Sequence, residues 1–326
     1  MQSREKALRI MSKRHWAVCR RFAFAAIVTL LAVTGAKAET IGLLMGKPDA
    51  FANLLRRSIE SNAETRPGVT IRVEDRDADA ERQLEILTDF LADRVDALIV
   101  QAVDGDEGAV MTKLASQAGI PLVFLKNPPI NVDELPQGQV YVGSDETVSG
   151  TLQAAEVCRL LRGKGRVAVV MGELVHSAAR TRTEDIDRVL AGQDCSAIEI
   201  VERQSANGSR DQAQKLVAEW LKAGADFDAV IANNDEMALG AIEGLKAGAA
   251  WTDGMIVAGI DATPDGLAAV RNGDMQVTVL QNAEGQGRAA LDAALQLASG
   301  GSVPSKILIP VELVTSTNVD AYLVAK

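Results

Sequence analysis

Histidine is almost missing from this chain of 326 residues, which has only His15 and His176. Cysteine occurs three times, as Cys19, Cys158 and Cys195. Ligands so few and so scattered cannot make a Cys- or His-rich zinc spacing, so no metal centre is expected. There is no GxxxxGK[ST] phosphate loop, no GxGxxG after the first strand pattern and no GxSxG nucleophile elbow. GKGRVAVV (163–170) holds two glycines, but it leads into a strand instead of opening a helix, so it is a turn. His176 and Ser177 are adjacent, which is poor geometry for a base and its nucleophile. No cofactor and no enzymatic chemistry are expected. Aromatic residues make up only 3% of the chain, so its core must be built from Val, Leu, Ile and Ala.

Long apolar runs are missing too. The most apolar stretch, FAFAAIVTLLAV, runs from Phe22 to Val33, short of the roughly 20 residues a membrane-spanning helix needs. Arg4, Lys6, Arg9, Lys13, Arg14, Arg20 and Arg21 precede it, and Ala36-Lys37-Ala38 follows. Basic region, apolar run and small residues in that order predict a secretory signal over 1–38, cleaved after Ala38. Cys19 precedes the apolar run, away from the cleavage site, so a lipid-anchored start is not expected. Cleavage leaves 288 residues and shifts the net charge from −10 to −17. An exported chain so acidic is a poor partner for nucleic acid or an anionic membrane. Its remaining cysteines, Cys158 and Cys195, could pair in an oxidising compartment. Cys158 lies among Leu152, Val157, Leu160 and Leu161 at helical spacing, however, where a small buried thiol is the blander expectation.

What the sequence does have is alternation. Short Val- and Ile-rich runs recur at 41–45, 69–75, 95–101, 121–125, 166–172, 198–203, 228–233, 255–261 and 275–281. They are apolar at consecutive positions, as in parallel strands covered on both faces. Helical patterns lie between them. In AERQLEILTDFLAD, Leu84, Leu87, Phe90 and Leu91 recur at helical spacing. SRDQAQKLVAEWLKAG opens on Ser209, an N-cap type, and ends on Gly224. The fold class is therefore α/β and doubly wound. VDALIVQAVDGDEGAVM and FDAVIANNDEMALGAI share one layout: Asp-Ala, two apolar residues, a polar turn, a helix. This repeat predicts two Rossmann-like domains with a cleft between strand ends.

Polar residues cluster where the strands end. Asp49 and Phe51 follow the first strand, Gln101 and Asp104 the third, Lys126 and Asn127 PLVFL, and His176, Arg180 and Arg182 VVMGE. Asn233, Asn234 and Asp235 follow DAVIA, Asp261 follows MIVAGI, and Gln281 ends VTVL. Amides, carboxylates and a guanidinium form paired hydrogen bonds to adjacent hydroxyls, which suits a polyhydroxylated ligand. For Asp104, Asp145 and Asp235, a helix cap or Asx turn is at least as good a reading. Asp235 is expected to cap the helix that begins at Glu236, and Asn234 to offer its amide to a ligand.

QAVDGDEGAV, AGIPLVFLKNPP, VYVGSDETVSG, GELVHSAARTR, VIANNDEMALGAIEGLKA, VAGIDATPDGLAAVRNGDMQVTVLQ and PVELVT, in that order, resemble the periplasmic sugar-binding proteins of ABC importers. The likeness covers nearly all of Glu39 to Lys326. It implies a type I periplasmic binding fold: two doubly wound domains joined by a three-segment hinge. These are 39–145 with 281–310, and 146–280 with 311–326. It implies a sugar or cyclic polyol in the cleft, and an ABC permease that reads the closed form. A chemoreceptor or sensor kinase is the alternative reader of the same surface. Phe51 falls where the family sets a ring against the sugar. Gln101, Arg182, Asn234, Asp261 and Gln281 match its polar contacts, His176 matches the galactose/glucose branch, and Asp49 matches more weakly.

The departures bear on ligand identity. Ala178 stands where the galactose/glucose branch has an aspartate, Gly208 where it has a tryptophan, and Gly46 lies near the place of its tyrosine. Lys126-Asn127 replaces the ribose branch's Asp-Arg. SANGSRDQA (205–213) and the SKILIPVELVTS ending look similar to inositol-type members. Lys47, Lys126, His176 and Arg182 add positive character, so an inositol or a carboxylated sugar fits the pattern. Ligand-sensing repressors share this core, but they need a DNA-binding helix-turn-helix where this chain has a basic and apolar leader.

Overall fold

Runs of four apolar residues become strands buried on both faces. The computed structural model describes residues 38–74 and 79–323, so the predicted leader over 1–38, all but Ala38, lies outside the described residues. The first sheet contains β1 (Glu39–Leu44), β2 (Val69–Glu74), β3 (Ala97–Val100), β4 (Leu122–Leu125), β5 (Gln139–Gly143) and β11 (Lys306–Leu308). Its order is β11-β5-β4-β3-β1-β2, with every pair parallel. The register sets Ile41 beside Ile71 and Ala97, and Ile99 beside Val123. The second sheet contains β6 (Lys164–Met171), β7 (Ala197–Ser205), β8 (Ala229–Ala232) and β9 (Ile256–Ala258), parallel in the order β7-β6-β8-β9. β10 (Thr278–Leu280) extends it through parallel bridges Ala258–Val277 and Asp261–Leu280, and pairs antiparallel with β12 (Glu312–Val314). Five strands in each half thus follow one order: second, first, third, fourth, fifth.

The helices are α1 (Ala50–Glu64), α2 (Ala80–Ala92), α3 (Gly108–Ala118), α4 (Glu146–Leu160), α5 (Ser177–Leu190), α6 (Arg210–Lys222), α7 (Asp235–Ala247), α8 (Pro264–Asn272), α9 (Ala283–Ala298) and the short α10 (Asp320–Leu323). Each sheet is covered on both faces. Ile41, Leu43, Ile99 and Val123 pack against Leu55 and Ile59 of α1 and Leu291 and Ala294 of α9. On the opposite face, Leu98, Val100 and Phe124 meet Leu87 and Phe90 of α2 and Met111 of α3. In the second sheet, Val167, Val169 and Ile231 pack on α4 and α5, while Val170 and Val230 pack on α6, α7 and α8. The doubly wound α/β class follows from these two-sided cores.

The chain passes between the sheets three times, after β5, after β10 and after β11. The buried thiol expected at Cys158 is corrected: Cys158 in α4 and Cys195 form a disulfide, with Cα atoms 5.8 Å apart. A 3-10 turn at Gln193–Cys195, beyond the end of α5, brings the second sulfur back against α4. That turn has no signature in the hydrophobic pattern.

Candidate functional site

The carboxyl ends of β1, β3, β4, β6, β7, β8 and β9 all contribute residues to a cavity of about 860 Å³. Strand-end clefts are where open α/β sheets bind ligands. The helices that follow the strands fix the side chains there. Asp49 caps α1, accepting from the Ala52 N–H at 2.6 Å, and its other oxygen accepts from Lys126 Nζ at 3.4 Å. Lys126 turns left-handed after β4, at φ 65°, where Tyr141 Oη donates to its carbonyl at 3.0 Å. Asn127 Nδ2 donates to the Ala102 carbonyl at 2.7 Å and so ties the β3 and β4 ends together. Gln101 is buried and lines the cavity, and its Oε1 has no partner.

The second sheet supplies the facing wall. His176 precedes α5, and its Nε2 lies 2.7 Å from the Val103 carbonyl across the cleft. A carbonyl only accepts, so Nε2 carries the proton. Burial lowers the His176 pKa, against Glu173, with Lys126 and Lys47 adding to the lowering. Arg182 on α5 is buried, with Nε 2.7 Å from Glu146 Oε2 and Nη1 2.6 Å from the Asn233 carbonyl. Its Nη2 is buried without a partner. Asn233 Oδ1 accepts from the Gly172 N–H and from Thr183, and its Nδ2 is likewise unpartnered. Asp261 lies in the left-handed region at φ 125°, followed by Ala262 at φ 51°. Its Oδ1 has no hydrogen-bond partner and stands 3.9 Å from Arg182 Nη1. Burial holds the Asp261 carboxyl well above the ordinary carboxylate range, opposed by Arg182 and Lys126.

The structure therefore brings Asp49, Gln101, Lys126, Asn127, His176, Arg182, Asn234 and Asp261 to one cavity. Phe51 and Gln281 do not line it. Phe51 is buried in the core against the first sheet, beneath Lys126, whose Nζ is 5.1 Å from its ring centroid. Gln281 is buried at the second crossing, where Nε2 donates to Glu146 at 3.0 Å. The capping expectation in IANNDEMALG is also corrected. Asn234 is the cap, accepting from the Met237 N–H at 2.9 Å, and its amide nitrogen donates to the Gly208 carbonyl. Asp235 is the first helical residue, and its buried carboxylate accepts from Thr263 and Thr278. Asp104 and Asp145 do make the expected local bonds, to the Asp106 and Thr147 N–H groups.

Asn233 was seen at a strand end but not assigned to the site; it holds the same place after β8 that Gln101 holds after β3, so the internal repeat was the available signal. Glu146 and Glu173 carried none, because their partners Arg182 and Lys47 are 36 and 126 residues away. Among the described residues, no group of three or more His, Cys, Asp and Glu is placed to hold a metal ion, and no helix is long and apolar enough to cross a membrane.

The sequence profile of the periplasmic binding protein domain matches residues 41–302. A Rhizobium meliloti protein named for rhizopine binding is 50% identical over 304 residues, covering 93% of this chain and 98% of the relative. The ribose import binding protein of Bacillus subtilis is 30% identical over 286 residues, covering 86% and 89%. A solved ABC transporter solute-binding protein from Bacillus halodurans, with bound myo-inositol, superposes at TM-score 0.83 and 35% identity. That match covers 89% of this chain and 99% of the solved one.

Proposed function

The chain belongs to the periplasmic binding protein domain family, and we propose that it is an exported receptor for a ring polyol of the inositol class. One observation carries this reading. Four residues of the cavity wall each hold a buried polar atom without a partner: Gln101 Oε1, Asp261 Oδ1, Arg182 Nη2 and Asn233 Nδ2. Buried polar groups are normally satisfied, and each one left bare costs about 1–3 kcal/mol. Two acceptors and two donors on residues that line one cavity match the hydroxyls of a polyol, each of which can donate and accept.

The charge balance argues against the carboxylated-sugar alternative. The cavity cations already face carboxylates: Lys47 with Glu173, Lys126 with Asp49, Arg182 with Glu146 and Arg210 with Glu243. Each of these cations is already balanced by a carboxylate, so the cavity carries no surplus positive charge to draw an anionic ligand. The relatives point the same way: bound myo-inositol at 35% identity and a rhizopine name at 50%. In this reading the signal over 1–38 delivers the chain to the periplasm. The halves 39–145 with 281–310, and 146–280 with 311–326, then close on the ligand, and an ABC permease takes it from the closed form.

Calorimetric titration of the chain from Glu39 with myo-inositol, rhizopine, ribose, galactose and glucuronate tests the proposal. An inositol-type ligand is expected to bind with Kd near or below micromolar, about −8.2 kcal/mol. Tight binding of ribose or glucuronate with none of the inositol-type ligands would overturn it.

A further inference from the structure

We propose that Glu146 is a positioning residue: it keeps the Arg182 guanidinium from a direct hydrogen bond to Asp261 and ties it to the crossing segments, so that ligand contact and closure are one event. This rests on the reading of the cavity as the ligand site. Glu146 is the first residue of α4, directly after the first crossing, and it is buried. Its Oε2 accepts from Arg182 Nε at 2.7 Å and from Gln281 Nε2 at 3.0 Å. Gln281 lies on the second crossing, immediately after β10. Gln286 laces the same two crossings again, donating to Ser144 Oγ at 3.1 Å and to the Gln281 carbonyl. Of these contacts, the Glu146 carboxylate is the one that also reaches an arginine of the cavity wall.

Arg182 has a rigid, planar fork of donors. Glu146 takes Nε and the Asn233 carbonyl takes Nη1, which fixes the plane and leaves Nη2 bare. The competing acceptor is Asp261 Oδ1, 3.9 Å from Nη1 and itself bare. The two already form an ion pair at that distance, and a small swing of the guanidinium would close it into a direct hydrogen bond. That bond would satisfy the Asp261 oxygen proposed for the ligand, and this part of the site would then be occupied by itself. The Glu146 carboxylate opposes the swing by charge and by direction.

Glu146→Gln removes the charge and keeps the shape. Glu146→Asp keeps the charge but withdraws it by one methylene, too far to hold both Nε and Gln281. Each is titrated with myo-inositol, and each is also spin-labelled at Gln117→Cys and Glu219→Cys, exposed positions on α3 and α6, for ligand-free distance measurement. In both variants affinity is expected to fall at least about tenfold. The ligand-free distance distribution should broaden, and the melting temperature of Glu146→Asp should stay close to wild type. A merely structural role would lower melting and leave the folded protein's affinity and distances unchanged. Affinities within twofold of wild type with an unbroadened distribution would overturn the proposal. Should wild type itself not bind myo-inositol, the ligand reading fails separately. The distance distributions then decide alone: broadened supports the coupling, unchanged refutes it.

Discussion

Asp261 combines a strained backbone with an unsatisfied carboxylate. A non-glycine residue at φ 125° costs of order 1–3 kcal/mol and persists only where its surroundings hold it. Here Thr278 Oγ1 accepts from the Ala262 N–H, and Asp235 accepts from the Thr263 N–H, so the loop is gripped from the next residue onward. Asp261→Gly should therefore raise stability by about 1–3 kcal/mol in chemical denaturation. The same variant should lose inositol affinity by roughly ten- to hundredfold, the range for a hydrogen bond to a charged group. Loss of both together would refute the strain argument. Asp235 makes a second prediction. Burial raises its pKa to about 7, with Thr278 and Thr263 pulling it down. A raised carboxyl binds its proton more tightly in the folded chain, so its contribution to stability falls as pH rises from about 4 to about 7, by of order 4 kcal/mol. His176, with its pKa lowered by burial, acts in the opposite sense, since its contribution is lost as pH falls. The Asp235 part is therefore read from the difference between wild type and Asp235→Asn, which should shrink that downward slope. An unchanged slope would place the carboxyl's pKa near its ordinary value. Sequence showed both aspartates at strand ends but not their directions. One faces the cavity and the other is locked behind it by threonines 28 and 43 positions away.

Among the elements, strands with consecutive apolar residues were readable whatever their length, and those that depend on tertiary partners were not. β3 and β8 are four-residue apolar runs opened by Asp-Ala, with polar turns after them, and they lie where the hydrophobic runs placed them. β5, β11 and β12 were not among those runs. β5 reads QVYVG, with Gln139 buried by bonds to Thr112 and Ser116 and Gly143 packed close to the Tyr141 ring. Only tertiary partners make such a segment a core strand. β11 and β12 are three residues each and exist as additions to β5 and β10. Phe51 shows the same limit within a helix. It belongs to the buried stripe Phe51, Ala52, Leu55 and Ile59 of α1, so its ring packs inward although its neighbour Asp49 lines the cavity. The disulfide closes a loop of sequence separation 37 between α4 and the turn beyond α5. Replacing Cys158 and Cys195 by alanine should cost about 2–4 kcal/mol in denaturant titration. Inositol affinity should stay within about twofold, because neither cysteine lines the cavity. A large affinity loss would mean that the loop positions Arg182 of α5 as well.

For the whole molecule, three contacts bridge the two sheets at the cavity mouth. His176 reaches the Val103 carbonyl, Ser177 Oγ lies 3.3 Å from the Pro128 carbonyl, and Lys47 pairs with Glu173 at 3.2 Å. They differ in weight. Lys47 is 55% exposed, and such a pair is worth about 0–1 kcal/mol. Lys47→Ala should change affinity by less than about fivefold, and the effect should fade at high salt. The His176 bond is short and part-buried, so His176→Ala should open the ligand-free protein in solution scattering. Apparent affinity should weaken by the fraction of closed form lost. An unchanged scattering profile would remove His176 from the closing contacts. None of these pairings was visible in the sequence, because each joins segments 49 to 126 residues apart. The site's location was legible from strand ends, whereas its latches depend on how the halves meet.

The repeated strand order has one more consequence. Gln101 after β3 and Asn233 after β8 occupy corresponding places in the two halves, and each lines the cavity with one amide atom left without a partner. The two are not copies. One leaves its oxygen bare and the other its nitrogen. A duplicated frame alone would be indifferent to which way round a nearly symmetric ring sat. Opposite polarity at matching posts removes that indifference and gives the cleft a direction that its repeated strand order lacks.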